Sequence, residues 1–471
     1  MNKRPLWKRL VRLGIFGIVA ILTIAVLALS WISFQGRREW AQTKADLLAR
    51  GEKLSLVELA PPPIPDDRNF YADPLWQQTP QPDGGDGPRT FPIKRLDAPP
   101  NEEEWSRLRA ILPDKTTARP DSRTLLARQL ATLSHTGGAA WQTAEAQAAL
   151  ALLAPFTPLL KSIDALLEQR PEGYPLMDYA NPYRLSDFYS ELGSVNIVLD
   201  ALAARAEAGL ELGDSGAAAH DVMDLFKLAD TLRTEPLLYP QMMRMPCLSA
   251  AIGTTNLGIS RHAWSAAELL AFQGAMESIE LLPDFALAFR GERGLRNQVF
   301  ENQDGLSLYK VLLPGDRAAE NRLVQELVER LDAAPAKGLD KGALRDLADR
   351  AIHWMHPLTY RFFYFYGDQA TIIAMLQNEL RQTAMACALE RYRLAHGNYP
   401  EKLSDIVPEY LKAPPLDAFT LRPMRYARTP EAFTLSDGDD VSWAIESPPS
   451  SSQTPMRPQV RRIIRPPGET K

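Results

Sequence analysis

The chain has 471 residues, 45% hydrophobic and 24% charged, the proportions of a folded protein and not of a disordered one; at that length more than one folding unit is expected. The net charge of −5 hides a polarity, because Lys3, Arg4, Lys8, Arg9 and Arg12 put +5 in the first twelve residues and leave −10 for the remainder. A body that acidic repels phosphate backbones, which counts against a nucleic-acid partner.

From Leu13 to Phe34 the sequence LGIFGIVAILTIAVLALSWISF carries no charge. This run matches the ~20 residues that a helix needs to cross hydrocarbon. The basic residues before it predict a cytoplasmic N-terminus and an extracytoplasmic bulk, in the inner membrane of a cell that has two. Arg37 and Arg38 on the far side weaken that asymmetry without matching the first cluster. A cleaved signal peptide, with Ala28-Leu29-Ser30 as the small-residue site, is the competing reading. Against it, apolar character continues through Trp31, Ile32 and Phe34, where a signal peptide turns polar.

The expected organisation follows in chain order: a cytoplasmic basic segment (1–12), a transmembrane helix (13–34), and a short helix plus Pro-rich linker (35–100). A helical domain (101–368), a long helix with a small α+β module (369–446) and a disordered tail (447–471) complete it. The short helix spans about Arg38 to Leu48. The linker LAPPPIPDDRNFYADPLW breaks every helical period with proline, while its Phe70, Tyr71, Leu75 and Trp76 are expected to clip onto the domain surface. Helix signals then begin at NEEEWSRLRAIL. They continue through PDSRTLLARQLATLSH with Asp121 as N-cap, and through an Ala/Leu-rich stretch divided near Pro155 and Pro158. Two further helices form a hairpin around Gly213-Asp214, and Ser265 with Glu268 makes a capping box. The fold class is mainly α: an antiparallel bundle or an α-solenoid-like array, with no repeat of fixed period. Cys247 and Cys387 each sit inside an apolar helical pattern and read as buried small hydrophobes, although a bridge between them stays open in an oxidising compartment.

After Tyr399 the pattern changes. Met424–Ala427 and Ala432–Leu435 alternate around a Thr-Pro turn, as a small antiparallel hairpin does, and the Ser/Pro-rich end is disordered by composition. Residues 378–440 resemble the globular part of the major pseudopilin of type II secretion systems. In that family a long helix ends in a Tyr-Pro turn, followed by leucine-bearing turns, an Asp-Pro-Trp segment, two strands and an acidic Gly loop. Here Tyr392 and Arg393 close the helix and Asn398-Tyr399-Pro400 make the turn; Leu403, Ile406 and Val407 pack back. Asp417 and Phe419 stand in the Asp-Pro-Trp segment, Tyr426 and Phe433 in the strands, and Ser436 to Asp440 in the loop. The departures are equally plain. The membrane helix lacks the glutamate that follows a prepilin peptidase site, and the module lies far along the chain from it. The overall plan also resembles a group of membrane-anchored bacterial proteins with an ARGEKL…PPPIPDD-NF linker, which implies no activity.

The resemblance implies a Ca²⁺ site at Asp437, Asp439 and Asp440, where three carboxylates in four residues suit a hard cation; a solvated turn is the plainer reading. His353 and His356 in HWMHP share a helix face as zinc ligands do, yet lack a third ligand nearby. The aromatic runs YRFFYFYGD and GYPLMDYANPYRLSDFY suit a cleft or interhelical packing. Arg290, Glu292, Arg293 and Arg296, near Glu277, Glu280 and Asp284, read as solvent-side ion pairs. No nucleophile elbow, phosphate loop or Cys-His arrangement occurs, so catalytic and cofactor residues are not assigned. The expected role is a membrane-anchored scaffold whose partners are envelope proteins or further copies of itself. A component of a type II secretion or pilus-like assembly is the alternative, and a hydrolase with a site between distant helices a third.

Overall fold

The computed structural model describes residues 6–76, 143–173, 179–180, 185–301, 309–350, 357–429, 432–436, 441–445 and 460–464. Twelve α-helices occur among them. They are α1 (Leu6–Ala49), α2 (Leu56–Leu59), α3 (Thr143–Leu153), α4 (Thr157–Gln169), α5 (Leu185–Leu212), α6 (Ser215–Asp230), α7 (Leu238–Ser260), α8 (Ala266–Glu277), α9 (Leu281–Glu301), α10 (Tyr309–Lys337), α11 (Lys341–Arg350) and α12 (Pro357–His396). A short antiparallel sheet follows them, in the order β1 (Arg425–Arg428), β2 (Phe433–Ser436), β3 (Val441–Ile445) and β4 (Val460–Ile464). The helices expected at NEEEWSRLRAIL and PDSRTLLARQLATLSH fall outside the described residues.

The expected membrane helix and the short helix after it are one element. Between Phe34 and Arg38 stand only Gln35, Gly36 and Arg37, none of which breaks a helix as proline does, so α1 runs unbroken for 44 residues, about 66 Å. From Leu13 to Ala28 it is uncharged and exposed on every face, its large apolar side chains from 53% at Val19 to 74% at Phe16, and Thr23 returns its hydroxyl to the Val19 carbonyl at 2.8 Å. That helix is long and apolar enough to cross a membrane.

Its second half changes character. Ser33, Gly36, Thr43 and Leu47 are buried, with Leu29, Ile32, Gln35 and Trp40 half-buried beside them; Leu29, Ser33, Gly36, Trp40, Thr43 and Leu47 alternate by four and three residues, the 3.5-residue period of a coiled-coil seam. Their partner is α10. A Cβ on Gly36 would stand 2.7 Å from the Gly315 nitrogen, Thr43 Oγ1 accepts from Arg322 at 3.0 Å, and Arg50 meets Glu329 at 2.8 Å. The three contacts advance together along both helices, so α1 and α10 are parallel. The Arg317 guanidinium lies 3.9 Å over the Trp40 ring between them. Replacing Gly36 by valine is expected to force this crossing apart, destabilising the chain by about 1–3 kcal/mol, read as a lower unfolding midpoint.

The rest packs as sequence chemistry directs. Gly213 (φ 86°) turns α5 into α6, and Asp214 caps α6 through the Ala217 nitrogen at 3.1 Å. Ser265 and Glu268 close the expected capping box on α8. Between α3 and α4 the helical run is divided at Ala154–Phe156, where Pro155 removes a donor. Helix α12 lies against α7, α8, α9, α10 and α11, a central position that belongs to a bundle more than to a linear array. One apolar core runs from Leu56 through the helices to Phe433 and Leu435, so the sheet shares the core of the body.

The first half of the linker is packed. Phe70 and Trp76 are buried with ring centroids 4.8 Å apart, and Tyr71 reaches Thr231 Oγ1 at 3.0 Å. Burying a ring of that size stabilises by about 1.5–3 kcal/mol, enough to hold a proline-broken segment down. At the other end the strands sit one residue further on than the alternation suggested, with Tyr426 opposite Leu435 and Arg428 opposite Phe433. Val460–Ile464, within the expected disordered tail, pairs with β3; Val460, Ile463 and Ile464 give that short piece β propensity which the surrounding Ser and Pro concealed.

Candidate functional site

Three constellations of charge stand out. The first fastens the exit of α1 to the body. Glu52, in the turn after α1, accepts from Arg293 at 2.5 Å, Arg290 at 3.1 Å and Gln325 at 3.1 Å. Burial alone would raise its carboxyl, but the hydrogen bonds from Arg290 and Arg293 overcome that and hold it at about 2. Asn297 binds the Leu54 carbonyl at 3.2 Å, and Asn321 at 3.1–3.2 Å through both amides. This corrects the expectation of solvent-side ion pairs on α9. Arg293 is fully buried, Glu292 meets the Leu238 nitrogen at 3.1 Å, and Arg296 pairs with the buried Glu320 at 2.9 Å, because α2, α7, α10 and α12 enclose α9. Glu277, Glu280 and Asp284 do not join that set. They go to Gln273, Arg381 and Arg244 respectively, at 2.7, 3.2 and 2.6 Å.

The second constellation fastens the C-terminal module. Gly397 (φ 80°) ends α12, and the chain folds back so that Tyr399 donates to Glu390 at 2.7 Å. Glu390 also accepts from Arg393 at 2.6 Å and lies 2.8 Å from His262 Nδ1; these contacts outweigh burial and hold it at about 2. Asp417 caps its own loop through the Thr420 and Phe419 nitrogens at 2.6 and 3.1 Å and receives Asn378 at 2.5 Å. Tyr426 donates to the Pro400 carbonyl at 2.8 Å, tying strand to turn.

The third borders a cavity of about 390 Å³ among α4, α6 and α8, lined by Glu168, His220, Met223, Lys227, Glu268 and Phe272. Beside it Arg205 forks onto Asp221 at 2.5–3.0 Å and reaches Asp164 at 2.8 Å. Lys227 joins Asp224 Oδ1 at 3.1 Å to Glu168, and His220 Nε2 stands 3.4 Å from Asp224 Oδ2. Burial drives the Asp221 carboxyl up to about 6 against the pull of Arg205, and it raises Asp224 as well, against His220 and Lys227. The sequence reading passed over this group. His220 and Asp224, four apart on one helix, were its available signal.

The expected Ca²⁺ ligands Asp437, Asp439 and Asp440 lie outside the described residues, as do His353 and His356. The run from Tyr360 to Asp368 is helical, within α12. Tyr179 donates to the buried Glu235 at 2.8 and 2.9 Å. Cys247 and Cys387 are buried and unpaired, and burial pushes the Cys247 thiol up to about 12. Compared with models of known families, with curated proteins and with solved structures, the chain matches none.

Proposed function

We propose that the chain is a single-pass membrane protein whose helical body serves, outside the cytoplasm, as a scaffold on which envelope proteins or further copies of the chain dock. One observation carries this reading: α1 passes within a few residues from a surface that is apolar and exposed all round to a stripe buried against α10. So large an apolar surface is unfavourable in water and favourable under lipid, and the second half of α1 joins that anchor to the body without a helix break. The cluster Lys3, Arg4, Lys8, Arg9 and Arg12 favours a cytoplasmic N-terminus. The ionic groups around Glu52 and Glu390 join segments far apart in the chain, Glu52 to Arg293 and Glu390 to His262, which is the work of a frame.

The test is fractionation. The chain is expected to stay with membranes through alkaline carbonate and to leave them in detergent. Protease added outside sealed spheroplasts should digest the body while sparing the first twelve residues. Recovery of the full-length chain in the soluble fraction would overturn the proposal.

A second reading, a part in a type II secretion or pilus-like assembly, draws on the C-terminal module. The order long helix, Tyr399-Pro400 turn, short turn at Leu403–Ile406, Asp417 loop and Tyr426/Phe433 hairpin agrees with that resemblance. Trimming of the mature N-terminus by a prepilin peptidase, seen by mass spectrometry, would favour it over the first.

A further inference from the structure

We propose that Asp164, His220 and Asp224 form a binding site for a first-row divalent transition metal ion, Zn²⁺ foremost, at the edge of the cavity between α4, α6 and α8. The ligand atoms of these three residues all lie within 4.8 Å of one another. An ion at their centre is within about 2.8 Å of each, so movements of roughly 0.7 Å bring all three to the ~2.0–2.2 Å of a zinc–nitrogen or zinc–oxygen bond. Two ligands come from one turn of α6, where the i, i+4 spacing sets them on the same face. The third comes from α4, so the metal would staple two helices. His220 is half exposed and lines the cavity, which gives the ion an entry path and leaves room for water as a further ligand.

An ion-pair cluster alone leaves one atom unexplained. Asp224 is fully buried, Lys227 engages its Oδ1, and its Oδ2 has no hydrogen bond at all, although His220 Nε2 is 3.4 Å away. A buried carboxylate oxygen left bare is costly, on the order of 1–3 kcal/mol, and here it points at the imidazole that would share the metal. The charge count agrees. Glu168, Asp164, Asp221 and Asp224 supply four negative charges, whereas Arg205 and Lys227 supply two positive ones. The residue of −2 is what a divalent ion neutralises. An imidazole with two carboxylates selects zinc and its neighbours over Ca²⁺ and Mg²⁺, which prefer oxygen throughout.

Titrating zinc chloride into chelator-stripped full-length protein in detergent tests this, with calorimetry for stoichiometry and thermal unfolding for stabilisation. One ion per chain and a raised midpoint are expected. His220→Gln, half exposed and therefore benign to folding, should weaken binding at least about tenfold, whereas His396→Gln should not change it. Lys227→Met removes the cation that competes for Asp224 and should tighten binding, an outcome a merely structural ion pair would not produce. No uptake, or equal affinity in the wild type and His220→Gln, would overturn the proposal, as would weaker binding in Lys227→Met. These outcomes do not depend on membrane topology, so the scaffold reading stands or falls separately.

Discussion

Replacing Arg293 by alanine is expected to destabilise the chain by about 3–5 kcal/mol, the range for breaking a buried ion pair from one side. The guanidinium is wholly buried, bonded to Glu52 at 2.5 Å and to Gln325 at 2.6 Å. Burial pulls its proton affinity down and Glu52 restores part of it, so neither charge is comfortable without the other. Without Arg293 the turn after α1 keeps Glu52 tied only to Arg290 and Gln325, and a cavity opens beneath α9. The loss should therefore be local as well as global. Limited proteolysis is expected to cut between Arg50 and Leu56 in the variant before it cuts elsewhere. Glu52→Gln strands Arg293 and should be nearly as damaging, whereas pairing Glu52→Gln with Arg293→Met removes both charges and should recover much of the stability. A single Arg293→Ala loss under 1 kcal/mol in chemical denaturation would mean that this network does not hold the anchor to the body.

How far such features can be read from sequence depends on where the partners lie. The apolar half of α1, the Gly213-Asp214 turn and the Ser265/Glu268 box declare themselves within a few residues, because the physics there is local. The seam that α1 presents to α10 is regular in period but is written partly in Ser, Gly and Thr, which pack by closeness and not by hydrophobicity, so a search for apolar stripes passes it by. Arg293 looked solvent-facing because its partner, Glu52, lies 241 residues away beside a run of prolines that reads as linker. The same holds for the metal-ligand group: His220 and Asp224 are visible as an i, i+4 pair, but Asp164 on α4 joins them only through tertiary packing. Long-range pairing of charge, more than secondary structure, is what the chain conceals.

Glu390 carries the other large expected effect, and its pH dependence has a definite sign. Its carboxyl is held at about 2, below its ordinary 4.5, because the bonds from His262, Arg393 and Tyr399 overcome burial. A carboxyl depressed in the folded state adds stability that is complete above about pH 4.5 and is lost as pH falls toward 2, in total roughly 3 kcal/mol. Glu235 has the opposite sign. Burial pushes it up to about 8, so its folded form binds the proton more tightly than the unfolded chain and stability is lost as pH rises from about 4.5 through 8. Glu390→Ala should cost about 3 kcal/mol at neutral pH, since it strands the buried Tyr399 hydroxyl and the Arg393 charge together. Glu390→Gln keeps an acceptor for Tyr399 and should cost less; its signature is the difference from wild type, which should shrink steadily between pH 4.5 and 2 because only the wild type still has a proton to gain. Hydrogen exchange adds the location. Amides from Tyr399 to Ser436 are expected to exchange faster in Glu390→Ala while α5 and α6 stay protected, since the turn and hairpin hang on this carboxylate and on Asp417, whereas those helices are held by packing on each other and on α3 and α7. Uniform protection across the variant, or a wild-type difference that does not vary with pH, would show that the module is fastened by its apolar contacts and not by this charge.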